Sequence, residues 1–141
     1  MINFNEIDIA VPGEIKHGDI RAWINKVIVG EGKLEGDINY QFCSDDYLHK
    51  INVDFLQHDN LTDIITFPMT NDQHIISGDI FISVERVNEN AENLELEFRQ
   101  ELFRVIVHGV LHLIGYKDKT QKQVSLMREK ENYYLELIIN I

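Results

Sequence analysis

Apolar residues recur along this chain at two spacings, and the spacing predicts the element. Ile7, Ile9 and Val11 alternate with polar or small residues, and Ile2 and Phe4 do so in the opposite phase. This predicts a first strand over Met1–Val11, with a bulge or a late start at Asn5–Glu6 and a stop at Pro12-Gly13. Ile20, Trp23, Ile24, Val27 and Ile28 follow the helical period, so His17–Val29 reads as an amphipathic helix closed by Gly30-Glu31-Gly32. Leu34–Cys43 alternates again, with Ile38, Tyr40 and Phe42 in one phase. Ser44-Asp45-Asp46 is an N-cap cluster for a short helix carrying Tyr47, Leu48, Ile51, Val53, Phe55 and Leu56. After a polar connection, His58–Thr62, a third strand is expected over Asp63–Pro68 and a turn over Thr70–His74. A fourth strand covers Ile75–Val84, where Gly78-Asp79 marks a bulge or a close backbone approach.

The second half is helical. Glu85–Asn93 is polar and starts as a helix. Glu95–Ile114 is a long helix with Leu94, Phe98, Leu102, Val105 and His112 near one stripe. Glu95, Glu97 and Glu101 suit the positive end of its dipole. Thr120–Gln123 forms a capping box opening a last helix, with Val124, Met127, Tyr134, Leu135 and Ile138 inward. Glu131 falls within that stripe and needs a partner. The sum is an α+β fold: one domain over 1–141, a single mixed sheet of about four strands, and four to five helices around a central His-bearing helix like that of the zinc proteases. The helical crossovers favour some parallel pairing, and the short Thr70–His74 turn favours one antiparallel hairpin. The order of strands in the sheet is left open.

Composition narrows the class. At 141 residues the chain can bury a proper core. A lone Cys43 forms no internal disulfide, which suits a reducing cytosol. Met1–Ala10 does not read as a secretory signal, and no apolar run is long enough for a membrane helix, so a cytoplasmic protein with no membrane partner is expected. The formal net charge of −11 opposes indiscriminate binding to nucleic acid. Yet Lys117, Lys119, Lys122, Arg128 and Lys130 are five of the thirteen basic residues. They read either as a solvated helix face or as a phosphate-contacting rim.

The chemistry concentrates in Val105–Ile114, where the only polar side chains are His108 and His112. Four apart on a helix, their imidazoles project from one face. A single histidine on an apolar helix is more often a core residue with one hydrogen bond. Two such rings among Val, Leu and Ile leave nitrogens that each cost roughly 1–3 kcal/mol if unpartnered, and a divalent metal removes that cost. Gly115 supplies a helix stop, and the turn after it can return Asp118 to the helix end. Two histidines and one carboxylate leave a coordination position open for water, the pattern of catalytic rather than structural zinc. In HExxH zinc proteases the residue after the first His is the Glu base; here it is Gly109, which disfavours peptide hydrolysis.

The residues His108-Gly109-Val110-Leu111-His112-Leu113-Ile114-Gly115-Tyr116-Lys117-Asp118 resemble the H-G-x-L-H-L-x-G-Y-D-H motif of the YbeY family, bacterial metal-dependent endoribonucleases of ribosomal RNA maturation. Nine positions fit and the last two depart. Thr62-Asp63-Ile64-Ile65-Thr66-Phe67-Pro68, Gly78-Asp79-Ile80, and Met127 with Glu131 match further family segments in order and spacing, so the likeness runs from about Asn52 to Glu131.

This resemblance implies one divalent metal, zinc above others, on His108, His112 and the third position, where the family has His and this chain has Asp118. It implies RNA cleavage in single-stranded or exposed regions, with ribosomal RNA or its precursors as substrate and components of the small ribosomal subunit as partners. Lys117, Lys119 and Lys122 would contact the backbone, and Asp63, Thr66, Asp79 and Glu131 would support the site or the fold. The family's phosphate-binding Arg, four residues after the Asn matching Asn52, is Leu56 here. His58, Lys117 and Lys119 are the candidates to replace it, with His58 and Lys117 as candidate catalytic residues. The general base is not evident. A competing expectation is a ribosome-assembly binding factor whose metal is structural or vestigial.

Overall fold

The computed structural model describes residues 1–13, 15–56 and 62–138. The elements are β1 (Ile2–Glu6), α1 (His17–Gly30), β2 (Leu34–Cys43), α2 (Asp45–Leu56), β3 (Ile64–Pro68), β4 (Ile75–Ser83), α3 (Val84–Asn93), α4 (Phe98–Ile114) and α5 (Gln121–Leu135), with a 3-10 turn at Glu136–Ile138. The strands form one sheet in the order β1-β2-β4-β3. β1 and β4 run parallel to β2, and β3 is an antiparallel edge strand on β4. This is the α+β architecture with a mixed sheet that the apolar pattern implies, and the hairpin lies where the Thr70–His74 turn predicted it.

Period-2 alternation sorts the sheet into two faces. Ile38, Tyr40 and Phe42 of β2, and Ile76, Ile80 and Ile82 of β4, are almost wholly buried in the main core with α1 and α4. On the opposite face α2 sets Leu48 and Ile51 with Cys43 and Ile65 in a smaller cluster, flanked by Phe67 and Phe81. α1 contributes Ile20, Trp23, Ile24, Val27 and Ile28 as one buried stripe, each no more than 2% exposed. The indole N–H of Trp23 donates to the Tyr134 carbonyl at 2.7 Å, fastening α1 to the end of α5. The buried Tyr40 hydroxyl donates to the Ile106 carbonyl at 2.9 Å, fastening β2 to α4.

Three elements differ from the sequence expectation. β1 stops at Glu6, because the Ile2/Phe4 phase is the one that pairs with β2. The Ile7 N–H still reaches the Phe42 carbonyl at 2.8 Å, but Glu6 Oε2 then accepts from the Val11 N–H and turns the chain. α4 begins at Phe98, not Glu95: Glu95 has φ 57°, and Glu97 caps the helix through a reciprocal box with Gln100. Of the acidic residues placed in its first half, only Glu101 is helical, and Leu94 lies off the stripe at 58% exposure. Val124, expected inward, is 45% exposed, whereas Met127, Glu131 and Tyr134 are the buried face of α5. The ladder irregularity lies in β2, between Glu35 and Ile38, and Gly78 is instead a close backbone approach, where a Cβ would sit 2.5 Å from the Phe67 carbonyl oxygen.

α4 packs close against the sheet at Gly109. A Cβ there would sit 2.9 Å from both Ile64 Cδ1 and Ile80 Cγ2, so only glycine lets the helix axis settle onto the β3–β4 pair. That seating brings the polar stripe of α4 to the β3 edge of the sheet. Gly115, at φ 128°, ends the helix, its N–H shared by the Leu111 and His112 carbonyls.

Candidate metal centre and adjoining cleft

His108 and His112 project from one side of α4, ring centroids 4.5 Å apart and nearly perpendicular. The turn after Gly115 carries Asp118 back over them. Asp118 Oδ2 lies 3.3 Å from His108 Nε2 and 3.2 Å from His112 Nε2. One ligand atom from each of the three residues falls within 4.8 Å of the others, the single such group among the described residues. Zinc ligand bonds of about 2.0–2.1 Å at tetrahedral angles put neighbouring ligand atoms about 3.3 Å apart. Both distances to the carboxylate match that edge, so the residues present fit a divalent metal. The donor set, two imidazoles and a carboxylate, is also that of catalytic zinc.

The outer partners fix the ring of His108. His108 Nδ1 lies 2.6 Å from Glu131 Oε2 on α5. A carboxylate only accepts, so Nδ1 carries the proton and Nε2 keeps its lone pair for the metal side. The other oxygen of Glu131 accepts from Arg104 Nη1 at 2.8 Å, and Arg104 Nη2 reaches Asn132 at 2.8 Å. Burial opposes ionisation of Glu131, but the hydrogen bonds from His108 and Arg104 outweigh it and hold its carboxyl below the usual range. For His108 burial favours the neutral ring, and the Glu131 hydrogen bond overcomes it, raising the imidazole. Asp63 is pushed up by burial, partly offset by the charge of His108. Arg104 was missed by the sequence reading, although its position was legible. Arg104, His108 and His112 repeat at i, i+4 and i+8 on one helix face.

The Asp118 turn has its own anchor. Glu31, just past α1, accepts hydrogen bonds from the hydroxyls of Tyr116 and Tyr134 and from Lys130 Nζ at 3.2 Å. Adjacent residues of α5 thus face different tasks: Lys130 joins the Glu31 cluster under the turn, and Glu131 holds His108.

Beside the centre lies a cleft of about 340 Å³ between α2, β3 and the turn, lined in part by Leu56, Ile64, Thr66, His112 and Lys119. Lys119 therefore faces the same cavity as Leu56. Lys122 lines a different surface hollow with Val124 and Leu126, and Lys117 is exposed and lines neither. Asp79 alternates with Gly78 and Ile80, so it lies on the sheet face away from α4, where it accepts from Asn39 at 3.0 Å. His58 lies outside the described residues.

The fold and this centre are those of an α+β protein with a histidine-bearing helix laid across a mixed sheet, and a solved structure shares the architecture. The solution structure of TM1509 from Thermotoga maritima matches with a TM-score of 0.62 at 29% identity, covering 96% of this chain and 87% of that one. The family described as Endoribonuclease YbeY matches residues 6–138. Proteins named Endoribonuclease YbeY are 53% identical over 133 residues in Flavobacterium johnsoniae, covering 94% of this chain and 93% of the relative, and 48% identical over 134 residues in Christiangramia forsetii, covering 95% and 91%. The chain belongs to the YbeY endoribonuclease family.

Proposed function

We propose that this chain is a metal-dependent endoribonuclease, one domain over 1–141, which cleaves single-stranded or exposed RNA during ribosomal RNA maturation in the cytoplasm. The observation that carries the reading is the convergence of His108, His112 and Asp118 at ligand spacing beside an open cleft. Zinc is the metal we assign, with small-subunit ribosomal components as partners. When bound, such a metal acidifies a coordinated water and polarises a phosphoryl oxygen.

The chain's own residues supply position and charge. Glu131 keeps the His108 proton on Nδ1 and Arg104 keeps Glu131 ionised, so the ring turns its Nε2 towards Asp118 and His112. Asp118 brings a negative charge where the family has a neutral ring, which lowers the electrophilicity of the centre. Lys119 offers the counter-charge for a phosphodiester in the cleft, the task of the family's Arg at the position of Leu56. Among the sequence candidates for that cation, Lys119 is favoured because it shares the cleft with both Leu56 and His112.

The experiment is metal content by elemental analysis, with cleavage of a single-stranded RNA, for wild type, His112→Ala and Asp118→Ala. The reading expects close to one zinc per wild-type chain, lost with cleavage in both variants. Full cleavage by the variants after metal removal would overturn it. The competing assembly-factor reading draws on Leu56 and on the net charge of −11. It gains if RNA affinity shows almost no dependence on salt.

A further inference from the structure

One wall of the cleft is the edge strand β3. β3 is the last strand of the sheet, so one row of its N–H and C=O groups has no strand partner among the described residues. The ladder identifies the row. The Ser83 N–H donates to the Asp63 carbonyl at 2.9 Å, and the Met69 N–H donates to the Ser77 carbonyl at 3.0 Å. Ile65 stands opposite Phe81 and Phe67 opposite Asp79, in the same parity. Bonded and non-bonded pairs alternate in an antiparallel ladder, so Ile64, Thr66 and Pro68 turn their backbone groups outward.

Two of those three are blunted. Pro68 has no N–H to offer. The Ile64 carbonyl is taken by the Thr62 hydroxyl at 3.3 Å. Among the described residues, Thr66 alone presents both an N–H and a C=O on this row, and it lines the cleft with His112 and Lys119. An exposed edge invites a peptide strand, but this one offers a single residue of complete pairing. A nucleic-acid strand needs no more than that. Its phosphate oxygens accept from N–H groups, and a ribose 2′-hydroxyl donates to a carbonyl, a donor that DNA lacks. The Ile64 and Thr66 N–H groups stand about 6.8 Å apart along the strand, comparable to the separation of consecutive phosphates.

We propose that the main chain of Thr66 is a recognition site for the RNA backbone, its N–H donating to a phosphate oxygen and its C=O accepting from the neighbouring 2′-hydroxyl. The strand then lies along the outer edge of β3, in the cleft whose cation is Lys119. This contact discriminates RNA from DNA without reading a base. It rests on the RNA-cleaving reading above and adds to it a specificity element that no side chain provides.

The test removes one N–H. An amide-to-ester replacement at residue 66 deletes that donor and keeps the side chain; Thr66→Pro does the same genetically, at an outward position where an edge strand tolerates proline. Binding of a labelled ten-nucleotide RNA to the metal-loaded full chain is followed by anisotropy, over a time in which a gel shows the RNA intact. Metal content and thermal midpoint are measured alongside. The ester should weaken RNA binding by about tenfold, as for loss of one hydrogen bond to a charged group, with metal content unchanged. In wild type one 2′-deoxy substitution along the RNA should weaken binding several-fold, and the same substitution should weaken binding by the ester as well, because the ester keeps the Thr66 carbonyl that the 2′-hydroxyl meets. Wild-type affinity in a folded ester protein would overturn the inference, and so would displacement of the RNA by a strand-forming peptide that binds more tightly. No RNA binding by wild type would instead refute the proposed function itself.

Discussion

Glu131 is the position at which the centre can be perturbed without touching a ligand. Its side chain is 5% exposed, with His108 Nδ1 at 2.6 Å on one oxygen and Arg104 Nη1 at 2.8 Å on the other. Glu131→Gln keeps the volume and one acceptor but removes the charge that fixes the His108 tautomer. Losing such an outer partner lowers metal affinity by about 10–100-fold, which is about 1.4–2.7 kcal/mol. Glu131→Ala goes further, leaving the guanidinium and the ring without their acceptor. A broken buried pair costs about 3–5 kcal/mol. Arg104 is 24% exposed and keeps Asn132, so about 2–3 kcal/mol of folding stability is expected after solvent screening. The assay is competition with a chromogenic chelator for zinc, paired with thermal unfolding of the metal-free protein. Glu131→Gln should lose metal affinity with little change in the metal-free midpoint, and Glu131→Ala should lose both. If Glu131→Gln binds zinc as tightly as wild type while His108→Ala does not bind, the carboxylate does not orient the ring and the argument fails.

Other consequences can be measured directly. Lys119→Ala should reduce the slope of log affinity against log salt for single-stranded RNA by about 0.7, one phosphate contact, whereas Lys122→Ala should leave it near wild type. Burial works against ionisation of Glu31, but the donors Tyr116, Tyr134 and Lys130 prevail and its carboxyl lies below the ordinary value of 4.5. A depressed carboxylate contributes stability above its unfolded pKa and loses it as pH falls. Wild type should therefore exceed Glu31→Gln in denaturant midpoint at pH 7, with the gap closing as pH drops through 4.5 and below; a constant gap would refute this. Tyr40→Phe removes a buried hydroxyl from the Ile106 carbonyl and should cost about 1 kcal/mol, lowering the thermal midpoint by about 4 °C.

How far the chain could be read in advance varies with the kind of force involved. Elements whose apolar period is unbroken, α1 and β2 above all, stand where their patterns put them. β1 and the start of α4 do not. Their boundaries depend on one side chain turning the backbone, Glu6 towards Val11 and Glu97 with Gln100, and the apolar pattern does not distinguish those residues from their neighbours. The grouping of His108, His112 and Asp118 was legible because helix geometry brings the two histidines together and Gly115 turns the chain. Arg104 went unseen despite lying on the same face, because arginine on a helix is ordinarily solvated. The Glu31 cluster could not be foreseen at all. It joins residues 85 to 103 positions apart, and only the packing of α1 against α5 sets them together.

Gly109 bears on how this scaffold relates to peptidases. The chain differs from the HExxH pattern there by one residue, which suggests that a single substitution could exchange one chemistry for the other. The 2.9 Å spacing of a hypothetical Cβ from Ile64 and Ile80 says otherwise. A glutamate at 109 would lift the helix off the hairpin, and His108 and His112 ride on that helix. Reaching peptidase chemistry from here would require the sheet to be repacked first, with smaller residues at 64 and 80. The two activities are thus separated by a valley of destabilised intermediates, and the glycine acts as an evolutionary lock on the helix that carries the site.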